Sequence, residues 1–280
     1  MTLRMGWFST GAGPGSQRWR MFSAVLDAIR ARTLDAEIAF VFCNRERGED
    51  AGTDAFLDLA KSRQIQTITL SSRRFRRERG GALSKPGEPL PPWRVDYDRA
   101  VADLVAPFDV EVAMLAGYML IFTEAISRRY TFLNLHPAEP GGPAGTWQDV
   151  IWQLIDTRAE RSGVMVHRAT DQLDRGPVVS YCTYSLRGQQ FDPLWDEVGE
   201  RSAAELRSTA QDNHPLFLAI RRHGAAREVP LVVATLRALA EKQVRLDGAR
   251  VVDAAGRELA AGLDLTAQVD AAVAAQLKIS

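Results

Sequence analysis

Through the first half of the chain, short apolar runs alternate with stretches whose apolar residues recur every three or four positions. The runs LRMGWFS (3–9), AEIAFVFC (36–43), IQTITL (65–70), VEVAML (110–115) and TFLNLH (131–136) read as buried strands. Between them, 16–32 carries Trp19, Phe22, Val25, Leu26 and Ile29 at helical spacing, and 53–62 places Phe56, Leu57 and Ala60 on one face. Helices are also predicted over 96–105, in TEAISRR (123–129) and over 147–157. Short links between alternating strands and helices predict an α/β fold with a doubly wound, mostly parallel sheet of the Rossmann type. The runs GVMVHRA (163–169) and GPVVSYCTYSL (176–186) flank the tight segment TDQLDRG and predict antiparallel additions to that sheet.

Two regions depart from the alternation. SSRRFRRERGGALSKPGEPLPPW (71–93) is basic and then rich in Gly and Pro, which predicts a long surface excursion rather than an ordinary element. From 192 to 221 the pattern is mainly helical. The remainder, 225–280, holds a helix in PLVVATLRALAE, a hairpin turning at Asp247-Gly248 and a last Ala-rich helix. The expected organisation is a main domain over 1–224 and a small C-terminal extension over 225–280 that packs on it.

Composition narrows the function classes. Thirty-five basic and thirty-five acidic residues cancel, so no global field draws the chain to nucleic acid or a membrane surface. No run approaches the roughly 20 apolar residues of a membrane span. The cysteines, Cys43 and Cys182, stand apart in strand-like runs and read as small buried hydrophobes, which predicts a cytoplasmic protein. His167 and His214 have no Cys or carboxylate partners at ligand spacing, and no metal site is expected.

Candidate chemistry centres on FLNLHPAEPGGPAG (132–145). Residues two apart on a strand share a face, so Asn134 and His136 point the same way. An amide can donate to a developing oxyanion, and an imidazole can donate or move a proton. An Asn at a strand end also serves simply to start a turn, and a His before Pro can be purely structural. The segment TDQLDRGPV adds Asp171 and Asp174 as carboxylates able to take a proton, although a turn aspartate can equally bond its own backbone. The loop STGAGPGSQ (9–17) opens a predicted helix, whose backbone N–H groups suit an anion. A dinucleotide reading fails there, because position 16 is Ser where a third glycine belongs and Cys43-Asn44 stands where an acidic residue belongs.

The ordered set MLAGYMLIF (114–122), LNLHP (133–137) and LDRGPVV (173–179) resembles the folate-dependent formyltransferase family. The glycine loop, the VFCN strand end and YDRAV (97–101) are also similar, and the resemblance spans roughly 3–220. It implies that Asn134 binds the oxyanion, that His136 stabilises that charge and acts as general acid, and that Asp174 holds the His and helps take the amine proton through water. The implied cosubstrate is 10-formyltetrahydrofolate, along Ala116, Gly117, Tyr118, Met119, Leu120 and Phe122 with Asp171. Gly11, Gly13, Gly15, Ser16 and Gln17 would meet the phosphate of a small-molecule amine such as glycinamide ribonucleotide, with Arg207 nearby. A monomer or homodimer, with no metal, nucleic-acid or membrane partner, is implied. The sequence departs from the family after His136, where Pro137-Ala138-Glu139-Pro140-Gly141-Gly142 replaces a Ser-Leu-Leu-Pro type loop. A hydrolase that releases formate, or a folate binder without turnover, are the alternatives.

Overall fold

The computed structural model describes residues 2–84, 88–170 and 174–279, with side chains described through 275. The chain forms two compact units: Met1–Asn134 with Arg168–Arg175, and Leu135–His167 with Gly176–Ser280. The division falls inside a single strand.

The first unit contains β1 (Leu3–Ser9), α1 (Gln17–Arg30), β2 (Ala36–Cys43), α2 (Ala51–Ser62), β3 (Gln66–Thr69), α3 (Ser72–Glu78), α4 (Trp93–Val105), β4 (Val112–Leu115), α5 (Glu124–Ser127) and the start of β5 (Phe132–His136). Its strands lie in the order β3-β2-β1-β4-β5, all parallel, so the winding reverses between β1 and β4. Pleating sends neighbouring residues of β1 to opposite faces. Trp7 meets Phe22 of α1 at 5.1 Å between ring centroids, and Phe22 meets Phe56 of α2 at 4.9 Å. Phe8 belongs to the other face, in a cluster with Phe42, Phe132 and the α4 residues Tyr97 and Val101. Helices therefore cover both faces, as the alternating sequence predicts.

The stretch 71–93 is not the wholly irregular excursion that its composition suggests. The Ser71 hydroxyl accepts from Arg74 N at 3.1 Å and caps α3, while Phe75 is buried edge-on against Tyr97. Helix α4 begins at the buried Trp93 rather than at 96. A seven-residue helix with one buried aromatic among arginines has too few apolar positions to show a period.

The second unit continues β5 and adds α6 (Trp147–Asp156), β6 (Arg161–Arg168, whose last residue belongs to the first unit), β7 (Val178–Ser185), α7 (Asp192–Val198), α8 (Ala203–Ala210), α9 (Pro215–Ala240), β8 (Val244–Asp247), β9 (Arg250–Asp253), β10 (Leu263–Asp264) and α10 (Thr266–Ile279). Strands β6 and β7 pair antiparallel, as expected, and β10 adds to β7 in parallel. The two-residue β10 is too short to be read from a period-2 pattern. The hairpin β8–β9 forms, with Gly248 at φ 61° in its turn. Leu216, Phe217 and Ile220 of α9 pack with Trp152 and Trp195. The helix expected to start at 230 is the second half of α9, which runs 26 residues through Pro230. Position 224/225, where the extension was expected to begin, lies inside that continuous helix. Its second half is tied to β7 by a buried Ser180–Thr235 hydroxyl pair at 2.5 Å.

Phe8→Ala should lower stability by about 3–5 kcal/mol, since its ring is 1% exposed and meets five others. A shift of the urea midpoint at unchanged slope is the expected readout.

Candidate functional site

Where winding reverses, the loops after two adjacent strands part in opposite directions and leave a crevice at the carboxyl end of the sheet. Here the strands are β1 and β4, and their loops carry the residues singled out for the amine phosphate and for folate. The pairing of β1 and β4 ends with Ala116 N donating to Phe8 O at 2.9 Å. The Ser9 hydroxyl then donates to Ala116 O at 3.0 Å and accepts from Gly11 N at 3.1 Å. One hydroxyl thus joins both loops.

Gly11 is buried at φ 87°, and a Cβ there would stand 2.7 Å from Thr53 Cα, so the position admits no side chain. Gly13 is half-buried and Gly15 is exposed. The Ser16 hydroxyl donates to Gly13 O at 2.8 Å and caps α1 through Trp19 N, with Gln17 as the first helical residue. This is the helix-opening turn that the sequence predicts. Arg18, which the sequence reading did not select, lies across the crevice. Its Nη1 is 3.5 Å from Gly11 O and 3.4 Å from Gly117 O. Gly117 has φ 70°, and its missing Cβ would sit 1.8 Å from Arg18 Cδ, so the arginine stem occupies the space that the glycine leaves.

The loop 116–122 divides into core and surface. Tyr118 and Phe122 stack at 5.1 Å and are buried beside Phe8 and Phe132. Their side chains therefore serve the core and do not wall a ligand space, leaving their backbone groups as what they offer. Burial pushes the Tyr118 hydroxyl far above the ordinary tyrosine range. Met119, 73% exposed, and Ile121, 41% exposed, present the loop's apolar surface, with Leu120 half-buried between them. Met119 N donates to Thr10 Oγ1 at 3.4 Å, a further tie between the two loops. Backbone polar groups beside an apolar rim suit a flat heteroaromatic ligand.

A buried charge pair holds the far end of this loop. Arg94 Nη2 donates to Ile121 O at 2.6 Å, and Asp98 Oδ2 accepts from Thr123 N at 2.6 Å. The two side chains face each other at 3.9 Å, too far for a hydrogen bond, and are 2% and 0% exposed. Burial raises the Asp98 carboxyl above its ordinary value, against the opposing pull of the Thr123 N–H and the Arg94 charge. The i,i+4 spacing of this pair is visible in the sequence, but its burial is not.

Asn134 is half-buried on β5 at the edge of the first unit. The segment 168–175 returns to the same unit, with Ala169 N donating to Phe132 O at 2.8 Å. Asp174 in that segment is half-buried with φ 53°, a left-handed conformation that aspartate tolerates better than most residues. Asp171 lies outside the described residues.

His136, in the second unit, is 2% exposed. Its Nε2 lies 2.8 Å from Pro143 O. A carbonyl only accepts, so Nε2 carries the proton, and in the neutral ring Nδ1 is the acceptor nitrogen. The loop that supplies Pro143 is built rather than slack: Gly142 N donates to Glu139 O at 2.9 Å, and Glu139 pairs with Arg161 at 2.6 Å. His167 presents its ring edge-on to His136 at 6.3 Å between centroids. Sequence reading missed Glu139, Pro143 and Arg161, because nothing in a Pro/Gly stretch announces that it closes on the preceding histidine. Arg207 is exposed near the end of α8. Among the described residues no cluster of His, Cys, Asp or Glu is placed to hold a metal, and no helix is long and apolar enough to cross a membrane.

The fold and the crevice define an α/β protein of the doubly wound class, with mostly parallel strands and flanking helices. Residues 15–184 match the family described as Formyl transferase, and the chain belongs to that family. Among curated proteins it is similar to the phosphoribosylglycinamide formyltransferase of Escherichia coli, 28% identical over 159 residues, which are 56% of this chain and 63% of that protein. The Bacillus subtilis protein of the same name is 19% identical over 161 residues, 57% of this chain and 70% of its own length. Among solved structures, the phosphoribosylglycinamide formyltransferase of Coxiella burnetii aligns with a TM-score of 0.63 at 19% identity, covering 94% of this chain and 99% of that one. A formyltetrahydrofolate deformylase from Pseudomonas syringae aligns with a TM-score of 0.57 at 18% identity, over 90% of this chain and 66% of that one.

Asp98→Ala leaves the Arg94 charge buried without its counter-charge and should cost about 3–5 kcal/mol, read by chemical denaturation. Because the folded state holds the Asp98 proton more tightly than the unfolded chain does, this residue adds stability as pH falls from neutrality through its raised pKa. Asp98→Asn should remove that gain, flattening stability against pH on the acid side.

Proposed function

We propose that the protein transfers a formyl group from 10-formyltetrahydrofolate to the primary amine of a small phosphorylated molecule, glycinamide ribonucleotide or a related amine. The observation that carries the reading is the Asn134-x-His136-Pro137 strand end lying inside the family match, with the His136 ring fixed through Nε2 on Pro143 O. An amide and an imidazole supply hydrogen-bond donors and a proton without a covalent nucleophile, which is what direct acyl transfer between two nitrogens needs.

In this reading the Asn134 amide donates to the oxyanion that develops as the amine nitrogen bonds to the formyl carbon. Asp174 takes the proton that the amine loses, through water. His136 donates a proton to the departing folate nitrogen as the carbon–nitrogen bond breaks. With Nε2–H held by Pro143 O, the transferable proton is the one that Nδ1 carries in the imidazolium form. The products are the formylated amine and tetrahydrofolate. The backbone of 116–122, with Met119, Leu120 and Ile121, receives the pterin. The turn from Gly11 to Gln17 receives the phosphate, and Arg18 across the crevice adds a cation to the same task. Arg207 contributes on the amine side. The structural likeness to a deformylase favours water in place of the amine as the second reading.

Tetrahydrofolate release from 10-formyltetrahydrofolate, measured with and without glycinamide ribonucleotide, separates the two. Release that depends on the nucleotide and is lost in His136→Ala is the expected result. Release at equal rate without amine would replace the transferase by the hydrolase, and no release with any phosphorylated amine would overturn both. Asn134→Ala should lower kcat by about 10²–10³-fold, the usual cost of one oxyanion donor, with little change in KM.

A further inference from the structure

Strands β6, β7 and β10 of the second unit carry a run of polar side chains on one face. Gly163 of β6 pairs opposite Thr183 and Met165 opposite Tyr181, while Asp264 of β10 lies beside Tyr181. Side chains alternate along each strand and paired residues share a face, so Arg161, Gly163, Tyr181 and Asp264 stand on the same side. The loop after β5 lies down on that side. A Cβ on Gly163 would stand 2.9 Å from Glu139 Cβ and 3.2 Å from Glu139 Cα, so Glu139 fills the space that the glycine leaves. Its Oε2 is buried there and meets Arg161 Nη2 at 2.6 Å. A carboxylate oxygen withdrawn from water stays in place only with a counter-charge.

Arg161 has a second acidic neighbour. The Glu139 carboxylate holds its charge most strongly, and the Asp264 carboxylate adds to the hold. The Tyr181 hydroxyl donates to Asp264. Asp264 is fixed in turn, because its Oδ1 accepts from Thr266 N at 2.8 Å and the next residue, Leu265, donates its N–H to Tyr181 O at 2.8 Å. One cation is thus shared between the loop that follows β5 and a C-terminal strand beyond residues 15–184, the extent of the family match. The loop's other end is the histidine's partner. Gly142 N closes a turn on Glu139 O at 2.9 Å, and Pro143, the next residue, offers the carbonyl that accepts from His136 Nε2 at 2.8 Å.

We propose that Glu139 and Arg161 are positioning residues for His136, and that β10, through Tyr181 and Asp264, is the brace that keeps Arg161 in place. The side chain of Arg161 is 65% exposed, and ion pairs so exposed add little to global stability. What such a pair does well is select one position of a loop that has no regular structure. Displacing the loop moves the Pro143 carbonyl, and with it the ring whose Nε2 proton that carbonyl fixes. Shifts of about 1 Å at a reacting group cost rate far more than they cost stability. The importance of the ring's orientation for turnover rests on the formyl-transfer reading; the arrangement that orients it does not.

Nitrogen-15 NMR of the full chain labelled at histidine, alongside steady-state formyl transfer, tests this. In Glu139→Gln and Arg161→Gln, which each remove one charge, the His136 Nε2–H should exchange with solvent about tenfold faster or more, and kcat should fall about tenfold with KM changed less than about twofold. Arg161→Lys keeps the cation and should restore most of both. Asp264→Asn, which keeps an oxygen for Thr266 N, and Tyr181→Phe should shift both in the same direction by about threefold. Arg250→Ala, which breaks the exposed Arg250–Asp247 pair of the β8–β9 hairpin, should change neither. Unaltered exchange in Glu139→Gln and Arg161→Gln, or equal loss in Arg161→Lys and Arg161→Gln, overturns the proposal. Unaltered exchange in Asp264→Asn and Tyr181→Phe overturns the part given to β10. If Glu139→Gln loses its circular-dichroism signal, the exposed Arg161→Gln decides. Should the wild type transfer no formyl group, the exchange measurement still decides, so failure of the formyl-transfer reading and failure of this proposal are told apart.

Discussion

The parallel pairing of β1 with β4 is the contact on which the rest of the first unit depends. It brings together two chain segments more than a hundred residues apart, and its last hydrogen bond, from Ala116 N to Phe8 O, sits where the two loops begin. Because winding reverses at this pair, the loops separate and leave a space that neither strand could form alone. Ser9 and Thr10 then tie each loop to the other, Arg18 lies between them, and the Arg94–Asp98 pair holds the far end of 116–122. The loop's core and surface faces are set by the same event: Tyr118 and Phe122 enter the aromatic cluster around Phe8, which turns Met119 and Ile121 outward.

The His136 segment in the second unit shows a different means to the same end. No regular element follows β5 for ten residues, yet the histidine is held by the Pro143 carbonyl of a loop that a glycine turn and the Glu139–Arg161 ion pair order. Gly163 is part of this arrangement. A Cβ there would press within 2.9 Å of Glu139 Cβ, so a bare backbone in β6 lets the loop lie down. Proline and glycine here specify one conformation rather than allowing many.

Much of this was legible in the sequence, for identifiable reasons. Strands β1, β2, β4 and β5 are buried on both faces and therefore read as continuous apolar runs, and the reversal of winding follows from alternation with helices. The Asn134-x-His136-Pro137 and Leu173-Asp174-Arg175-Gly176-Pro177 segments were recognisable as local chemistry. What could not be read was pairing at a distance. Arg18, Ser9, Glu139 and Asp98 look like ordinary helix, turn or loop residues until the fold gives them partners. Helix α3 was hidden because one buried Phe75 gives no period, and α9 was divided in two because Pro230 imitates a helix start. Proline removes one N–H bond, the one that would reach Ala226, and packing of both halves of the helix outweighs that loss.

The unbroken course of α9 bears on how the chain can vary. Its first half packs with Trp152 and Trp195 in the apolar cluster of the second unit, and its second half fastens to β7, which β10 then flanks. The last fifth of the protein is consequently spliced into the sheet-bearing unit through a shared rod, not hung from it by a linker. An insertion or deletion of even one residue near Gly224 would turn everything beyond by about 100°, one step of the α-helix. Relatives that differ in this region must therefore differ by whole turns, by a break in the helix, or by the entire segment at once.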